Sequence, residues 1–318
     1  MSFVDEFRHK IYEINEETFL DSSLAAFEYQ YSQCTIYQSF CNYLNKTPKN
    51  VKRLTDIPFL PIEFFKNHAI KSGNWDASKI FKSSGTTSSG RSQHFIRDVN
   101  HYHQSAKYHF EQSFGPLEDF QIIAILPSYQ EQGDSSLISM VDYFIQFAKP
   151  GSDYFLEEEI DDILNTDYHK LIIGVSYALL DMAELKPPIK NSIIMETGGM
   201  KGRKKEMTRE ELHSRLKRGF SVDHIWSEYG MTELQSQGYG KGGSFHFPSW
   251  AKCIIRDIND PFNYLPEGKT GGINIIDLAN IDTCCFIETK DLGRVDGELF
   301  EVLGRFDNSD IRGCNLLI

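Results

Sequence analysis

Residues 81–94 read FKSSGTTSSGRSQH, a run in which glycines and hydroxylated side chains displace almost every apolar one. Such a run can bury little. Its chemistry is that of an anion cradle: glycines let the backbone come close, and backbone N–H groups join the hydroxyls of Ser83, Ser84, Thr86, Thr87 and Ser88 as donors to phosphate oxygens. Lys82 and Arg91 flank the run, which suits a bound phosphate better than a flexible surface linker. Against the mononucleotide pattern GxxxxGK[ST], Gly85 to Ser92 gives GTTSSGRS, with arginine where lysine should stand. A guanidinium does not replace a compact ammonium at terminal phosphates, and only residues 79–81 precede the loop where that motif wants a buried strand.

Other chemistry-bearing patterns carry less. His101, His103 and His109 invite a metal reading, but 101 and 103 lie about 200° apart around a helix and cannot converge. Gly238, Gly240 and Gly243 form a GxGxxG without a strand before it or a helix after it, and read as a flexible loop. No G-x-S-x-G occurs, so a hydrolase serine nucleophile has no support. Six cysteines (Cys34, Cys41, Cys253, Cys284, Cys285, Cys314) form no CxxC pair, which argues for reduced thiols rather than zinc or redox motifs.

The elements that must position these residues follow from periodicity. Residues 3 to about 45 carry apolar side chains at helical spacing, with Asp21 or Ser22 as a cap and Cys34 and Cys41 on the apolar stripe. TPKN and the prolines of DIPFLPIEFFK end that pattern. Arg97 to Phe114 reads as a helix, Gln121–Leu126 as a buried strand, Ser136–Phe147 as a helix, Leu171–Val175 as a second strand and Ser192–Met195 as a third. Strand, helix, strand in this rhythm predicts α/β layers around a mostly parallel sheet, with ligands beyond the strands' carboxyl ends, where Gly198 and Gly199 fall. Lys201 to Arg218 is a basic helix interleaved with glutamates, read as a solvated face or a dock for an acidic partner. From Ser249 to Val302, short alternating runs parted by Gly, Pro and Asn predict a small antiparallel β subdomain; Cys284 and Cys285 read as strand residues, one of which could line an acid pocket.

Composition sets outer bounds. With 318 residues the chain can build a real core, and a formal charge of -12 argues against a nucleic-acid binder. The charged start MSFVDEFRHK lacks the apolar core of a secretory signal, and no apolar run approaches the roughly 18 residues of a membrane span, so a cytoplasmic protein is expected.

Three later stretches, SEYGMTEL (227–234), DLGRV (291–295) and GRFDNSDIRG (304–313), follow SSGTTSSGR in an order that resembles the adenylate-forming enzymes: acyl-CoA ligases, phenylacetate-CoA ligases and their relatives. Within that superfamily the chain is most similar to the LuxE-type acyl-protein synthetases, from IPFLPIEFFK through LPSYQEQGDSSL, ETGGMKGR and FHFPSWAKCIIRD to IRGCNLLI.

The resemblance implies an adenylate-forming core over residues 1–303, divided into a helical part (1–70), an α/β nucleotide- and acid-binding part (71–248) and the β subdomain (249–303), with 304–318 as a hinge-like tail. By similarity, Ser83, Ser84, Gly85, Thr86, Thr87 and Gly90 would hold the β- and γ-phosphates of ATP, Thr232 would contact the α-phosphate, and Glu233 would ligate Mg²⁺. Tyr229, Gly230, Gly198 and Gly199 would border the adenine, Asp291 and Arg305 would reach the ribose, and Asp307 would mark the hinge. The family's mobile lid and its catalytic lysine have no counterpart before Ile318, so Lys201, or Arg203, is offered as the replacement cation. Cys314 fits the acyl-accepting cysteine of LuxE-type proteins, a thiolate being a competent nucleophile toward an acyl anhydride. The implied function is activation of a carboxylic acid, fatty acids first, as acyl-AMP, with transfer to Cys314 or to a partner reductase or carrier protein. A free-standing acyl-CoA ligase, using CoA, and a nucleotide-binding protein without catalysis are the alternatives.

Overall fold

The computed structural model describes residues 2–83, 90–127, 133–155, 164, 166–185, 189–198 and 207–306. The chain divides into two compact units: one holds residues 1–101, 232–236 and 246–318, the other 102–231 and 237–245.

The first unit begins with helices α1 (Phe3–Lys10), α2 (Phe19–Gln33) and α3 (Thr35–Tyr43). Ser2 and Asp5 form a capping box on α1, satisfying two of the N–H groups a helix start leaves open. For α2 the structure moves the start earlier than Asp21 or Ser22: Asn15 Oδ1 accepts from the N–H groups of Glu17 and Thr18, and Thr18 Oγ1 accepts from Asn15, so the turn before the helix organises its entry. Strand β1 (Leu60–Pro61) and the single turn α4 (Phe64–Asn67) carry the proline-bounded aromatic segment, and β1 lies parallel to β13 (Phe286–Asp296). Strands β2 (Lys79–Lys82) and β3 (Gln93–Ile96) form an antiparallel pair on either side of the serine- and glycine-rich loop. The predicted β subdomain is present as β11 (Ala251–Arg256), β12 (Gly271–Asp277), β13 and β14 (Leu299–Arg305), each antiparallel to the next.

The helices of this unit do more than fill space. Gln30 of α2 donates from Nε2 to the carbonyls of Asn280 and Ile281 and accepts at Oε1 from the N–H of Cys285, so one buried amide closes three backbone groups of the 278–285 loop. Arg8 of α1 pairs with Asp282 in the same loop, and Arg97 reaches that carboxylate from another side. Cys284 and Cys285 belong to this loop and not to a strand; both are fully buried.

The second unit is built on the parallel strands β4 (Phe120–Ile125), β5 (Asp153–Tyr154), β6 (His169–Val175), β7 (Ser192–Thr197) and β8 (Trp226–Tyr229), in the order β8-β7-β6-β4-β5. Every residue of β4 and six of the seven in β6 are buried, as expected of strands covered on both faces. Helices α5 (Val99–Phe114), α6 (Ser136–Ile145), α7 (Ser176–Leu185) and α8 (Arg209–Phe220) complete the α/β pattern. Thr208 caps α8 through the N–H of Glu211, with Glu210 in its first turn and Lys217 and Arg218 in its last, matching the helix dipole.

Of the glycines read as a flexible loop, Gly238 and Gly240 are instead strand: β9 (Gly238–Lys241) pairs antiparallel with β8, and the chain turns back at Gly243 into β10 (Ser244–His246). A Cβ on Gly240 would lie 2.1 Å from the Ser244 carbonyl oxygen, so glycine permits the close backbone approach there. Along α5 the three histidines take different partners: His101 Nε2 lies 3.2 Å from the Ala279 carbonyl, His103 Nε2 lies 2.9 Å from Ser139 Oγ, and His109 stacks on Tyr239.

Candidate active site

In the first unit, the ends of the serine- and glycine-rich loop are tied together. Ser83 N–H donates to the Ser92 carbonyl at 3.1 Å, and Ser92 N–H returns a bond to Ser83 Oγ at 3.0 Å. Arg91 binds the carbonyls of Ser83 and Lys82, so its guanidinium clamps the neck of the loop, a role distinct from the phosphate flank expected of it. Gly90 holds φ +83°, a left-handed conformation that favours glycine at this corner. Ser84, Gly85, Thr86 and Thr87 lie outside the described residues, as do Gly199, Lys201, Arg203, Asp307 and Cys314.

Thr232 and Glu233 stand on a segment gripped from several sides. His94, two residues beyond the loop, places Nδ1 2.8 Å from the Thr232 carbonyl and Nε2 2.9 Å from Asn280 Oδ1 and 3.1 Å from Thr283 Oγ1. Burial pulls its pKa down to about 4, while its contacts with two acceptors, the Thr232 carbonyl and Asn280 Oδ1, work against the fall, and the Thr283 hydroxyl donates to that same Asn280 oxygen. Asn280 Nδ2 donates to the Glu233 carbonyl at 2.7 Å. Asp277, at the end of β12, accepts from the N–H groups of Gln235 and Ser236 at 2.8 and 2.9 Å and from Ser236 Oγ at 2.7 Å, while Trp250 Nε1 donates to that hydroxyl.

The Glu233 side chain is itself buried. Burial raises its pKa, while a hydrogen bond from the Ser92 side chain and the charges of Arg305 and Lys66 work against the rise. Arg305 stands opposite Asp291 in the β13–β14 register, with Nε 3.8 Å from Asp291 Oδ1, and its side chain is two-thirds exposed. Ser83, Ser92, Glu233, Asp291 and Arg305 are thus linked through contacts or fields within one unit. Glu233 offers one buried carboxylate, and Mg²⁺ takes few protein ligands and fills the rest of its shell with waters and phosphate oxygens, so this residue is compatible with that metal.

Gly198, Tyr229 and Gly230 lie in the second unit. Gly198 takes φ +68° just past the end of β7, and its carbonyl accepts from Ser176 Oγ at 2.8 Å. Tyr229 ends β8 with its ring 5.8 Å from that of Phe245. Two carboxylates that the motif reading passed over sit beside them. Glu196 of β7 accepts from Ser176 Oγ at 3.1 Å, with His213 Nε2 at 3.6 Å and Arg209 Nε at 3.9 Å. Glu228 of β8, in register with Thr197 of β7, accepts from the Thr197 hydroxyl. Burial pushes Glu228 up to about 7, the Glu196 charge adds to the rise, and the Thr197 bond opposes it.

The five cysteines among the described residues are free thiols, and burial pushes every one of them up, Cys41 to about 12.

The profile of the LuxE acyl-protein synthetase family matches residues 8–318. The chain belongs to that family. Among curated proteins no significant match is found. Solved structures share the fold at low identity. A 2-hydroxyisobutyryl-CoA ligase in complex with 2-HIB-AMP and CoA, in its thioesterification state, superposes with a TM-score of 0.67 at 13% identity, covering 97% of this chain and 70% of that one. An open conformation of that ligase gives 0.64 at 12%, covering 92% and 70%. ATP-bound MatB from Rhodopseudomonas palustris gives 0.52 at 17%, covering 84% and 56%. The family is that of acyl-protein synthetases, and the solved ligases show the fold that this chain shares. His94, Asp277, Asn280 and Gln30, which hold the Thr232–Glu233 segment or its loop, had no motif to announce them. The signal that existed was Asp277 itself, a carboxylate closing the seven-residue run GGINIID, whose other members are apolar or amide.

Proposed function

We propose that this protein activates a carboxylic acid, with fatty acids the leading class, as acyl-AMP and then transfers the acyl group to a thiol. A carboxylate oxygen of the acid attacks the α-phosphorus of ATP, the bond from that phosphorus to the bridging oxygen breaks, and pyrophosphate leaves. A thiolate then attacks the acyl carbon, forming a thioester and releasing AMP; its proton has gone to solvent. The observation that carries the reading is the link between the neck of the serine- and glycine-rich loop and Glu233, made by Ser92, with Arg305 acting on Glu233 and pairing with Asp291.

Within that reading, Ser83, Ser84, Gly85, Thr86, Thr87 and Gly90 receive the β- and γ-phosphates, and Thr232 the α-phosphate. Glu233 would hold Mg²⁺, which when bound supplies charge neutralisation at the phosphates. Asp291 and Arg305 take the ribose; Tyr229, Gly230, Gly198 and Gly199 border the adenine. Lys201 supplies the cation at the transition state. Cys314 is the accepting thiol, a choice supported by the raised pKa values of the five other cysteines, four of which are buried. A partner reductase or carrier then takes the acyl group.

Incubating the protein with ATP, Mg²⁺ and radiolabelled acids tests this. Wild type should retain acyl label that hydroxylamine removes, Cys314→Ser should lose it while still forming acyl-AMP, and Lys201→Ala should slow adenylation about a hundredfold or more. Label retained in full by Cys314→Ser, or acyl-CoA formed in its place when CoA is added, would move the acceptor to another protein thiol or to CoA.

A further inference from the structure

In the first unit, the proline-bounded segment DIPFLPIEFFK ends in a lysine whose backbone is held more firmly than an exposed surface residue needs. Strand β1 sets Leu60 against Ile287 and Pro61 against Glu288, and Ile62 N–H donates to the Glu288 carbonyl at 2.9 Å. Glu63 pairs at 2.5 Å with Lys290, the residue just before Asp291. Phe64 packs on Phe40 with ring centres 5.9 Å apart, and the buried Phe65 meets the His94 ring edge-on, also at 5.9 Å. His94 in turn bonds the Thr232 carbonyl, so α4 abuts the segment that carries Glu233. Three consecutive side chains, Glu63, Phe64 and Phe65, thus fix the backbone from which Lys66 leaves the surface, and the Lys66 charge acts on the buried Glu233 carboxylate.

Other cations of this unit already have partners. Arg91 clamps the carbonyls of Ser83 and Lys82, Lys79 stands over the Phe81 ring, Lys290 holds Glu63, and Arg305 faces Asp291. Among the described residues, no acceptor and no carboxylate meets the Lys66 ammonium. Lys66 and Glu233 therefore act on each other without forming an ion pair. With Mg²⁺ at Glu233, a phosphate between metal and ammonium would make the signs alternate.

We propose that Lys66 is a phosphate-binding residue of this site: its ammonium donates to phosphate oxygens of ATP and holds the negative charge that gathers on pyrophosphate as it leaves. This rests on the acid-activating reading above, and it gives the first unit a cation of its own beside the Lys201 of that reading. A compact charge on a flexible stem, with three donors, can follow a phosphate as it moves. The charge it meets grows as the bond from the α-phosphorus to the bridging oxygen breaks, so the contact is stronger at the transition state than with bound ATP.

The test uses the full chain. ATP binding is measured by calorimetry with Mg²⁺ and no acid, at two ionic strengths, and adenylation by acid-dependent pyrophosphate exchange at saturating ATP. Lys66→Ala should weaken ATP binding about tenfold, flatten its dependence on salt, and lower exchange by a further factor of about ten or more. Lys66→Arg keeps the charge and should retain most of the ATP affinity, whereas Lys66→Gln should behave as the alanine variant does. Lys49→Ala removes another exposed lysine of the same unit and should match wild type in affinity and exchange. Lys66 is exposed, so thermal melting should show all four variants folded. ATP affinity and salt dependence unchanged in Lys66→Ala, the same losses in Lys49→Ala, or a loss that Lys66→Arg fails to restore overturns the proposal. Because binding is read without acid, ATP binding that depends on Lys66, with no exchange by any acid, would leave the phosphate assignment standing and defeat the activation reading. Acid-dependent exchange at full rate in Lys66→Ala would do the reverse.

Discussion

Asp277 in the first unit and Glu228 in the second are both enclosed carboxylates with raised pKa values, and burial is the main cause for each. They differ in what surrounds them. Asp277 receives two backbone N–H groups and a hydroxyl, and the same economy extends outward: Trp250 donates to that hydroxyl, Asn280 closes the Glu233 carbonyl, His94 closes that of Thr232, and Gln30 closes the loop carrying Asn280. Glu228 has a single hydroxyl partner. A fully satisfied buried network fixes a backbone in one geometry; a partly satisfied one carries a cost that protonation relieves. The first arrangement suits a frame that must hold Thr232 and Glu233 still, and the second leaves a carboxylate whose charge answers to pH.

The contrast breaks most visibly at Asp277. Replacing it by alanine leaves three buried donors without an acceptor, and we expect a loss of about 3–5 kcal/mol in urea unfolding together with loss of pyrophosphate exchange. A loss below about 1 kcal/mol would mean that the network is not holding the segment.

A smaller effect, of distinctive sign, belongs to His94. Burial lowers its pKa to about 4, so the unfolded chain binds more protons than the native one between that value and about 6.5. The contribution is present above about 6.5 and is lost as pH falls toward 4; wild type should lose on the order of 2 kcal/mol relative to His94→Gln between about pH 7 and pH 5. Parallel pH profiles for the two proteins would contradict this. His101, also lowered to about 4, follows the same direction in both and cancels from the difference.

The smallest expected effect sharpens the comparison because it has the opposite sign. Glu228 is raised to about 7, so its native form binds more protons than the unfolded chain between roughly 4.5 and 7, and its contribution is lost as pH rises through that window. Glu228→Gln should therefore stabilise the ligand-free protein, by on the order of 1 kcal/mol above about pH 7, and hardly at all near pH 4.5. Destabilisation at high pH would place Glu228 with Asp277 as a structural carboxylate.

Much of this was legible in the sequence, for reasons specific to each element. Strands β4, β6 and β7 announce themselves because sheets covered on both faces need continuous apolar runs, as in QIIAIL and LIIGV. The start of α2 was misplaced because its entry is set by the Asn15–Thr18 turn, and no side chain of Asp21 or Ser22 is needed there. The β9 strand was missed because glycine weakens strand propensity, whereas here it admits the carbonyl of Ser244.

At the candidate site, Ser83, Thr232, Glu233, Asp291 and Arg305 were found through ordered motifs. Their supports were not, since a lone Gln30 on an amphipathic helix or a His94 after a loop has no local pattern that foretells partners about 190 to 250 residues away. Glu228 was hidden in plain view inside SEYGMTEL, where the tyrosine, threonine and second glutamate drew the assignment.

Pyrophosphate exchange into ATP, measured with the full chain and Mg²⁺ across a panel of carboxylic acids, bears most directly on the account. Exchange should require an acid and fall at least a hundredfold in Glu233→Gln, with that variant still folded. Exchange that proceeds without acid, or at full rate in Glu233→Gln, or with no member of the panel while ATP still binds, would contradict the assignment of this site to acid activation.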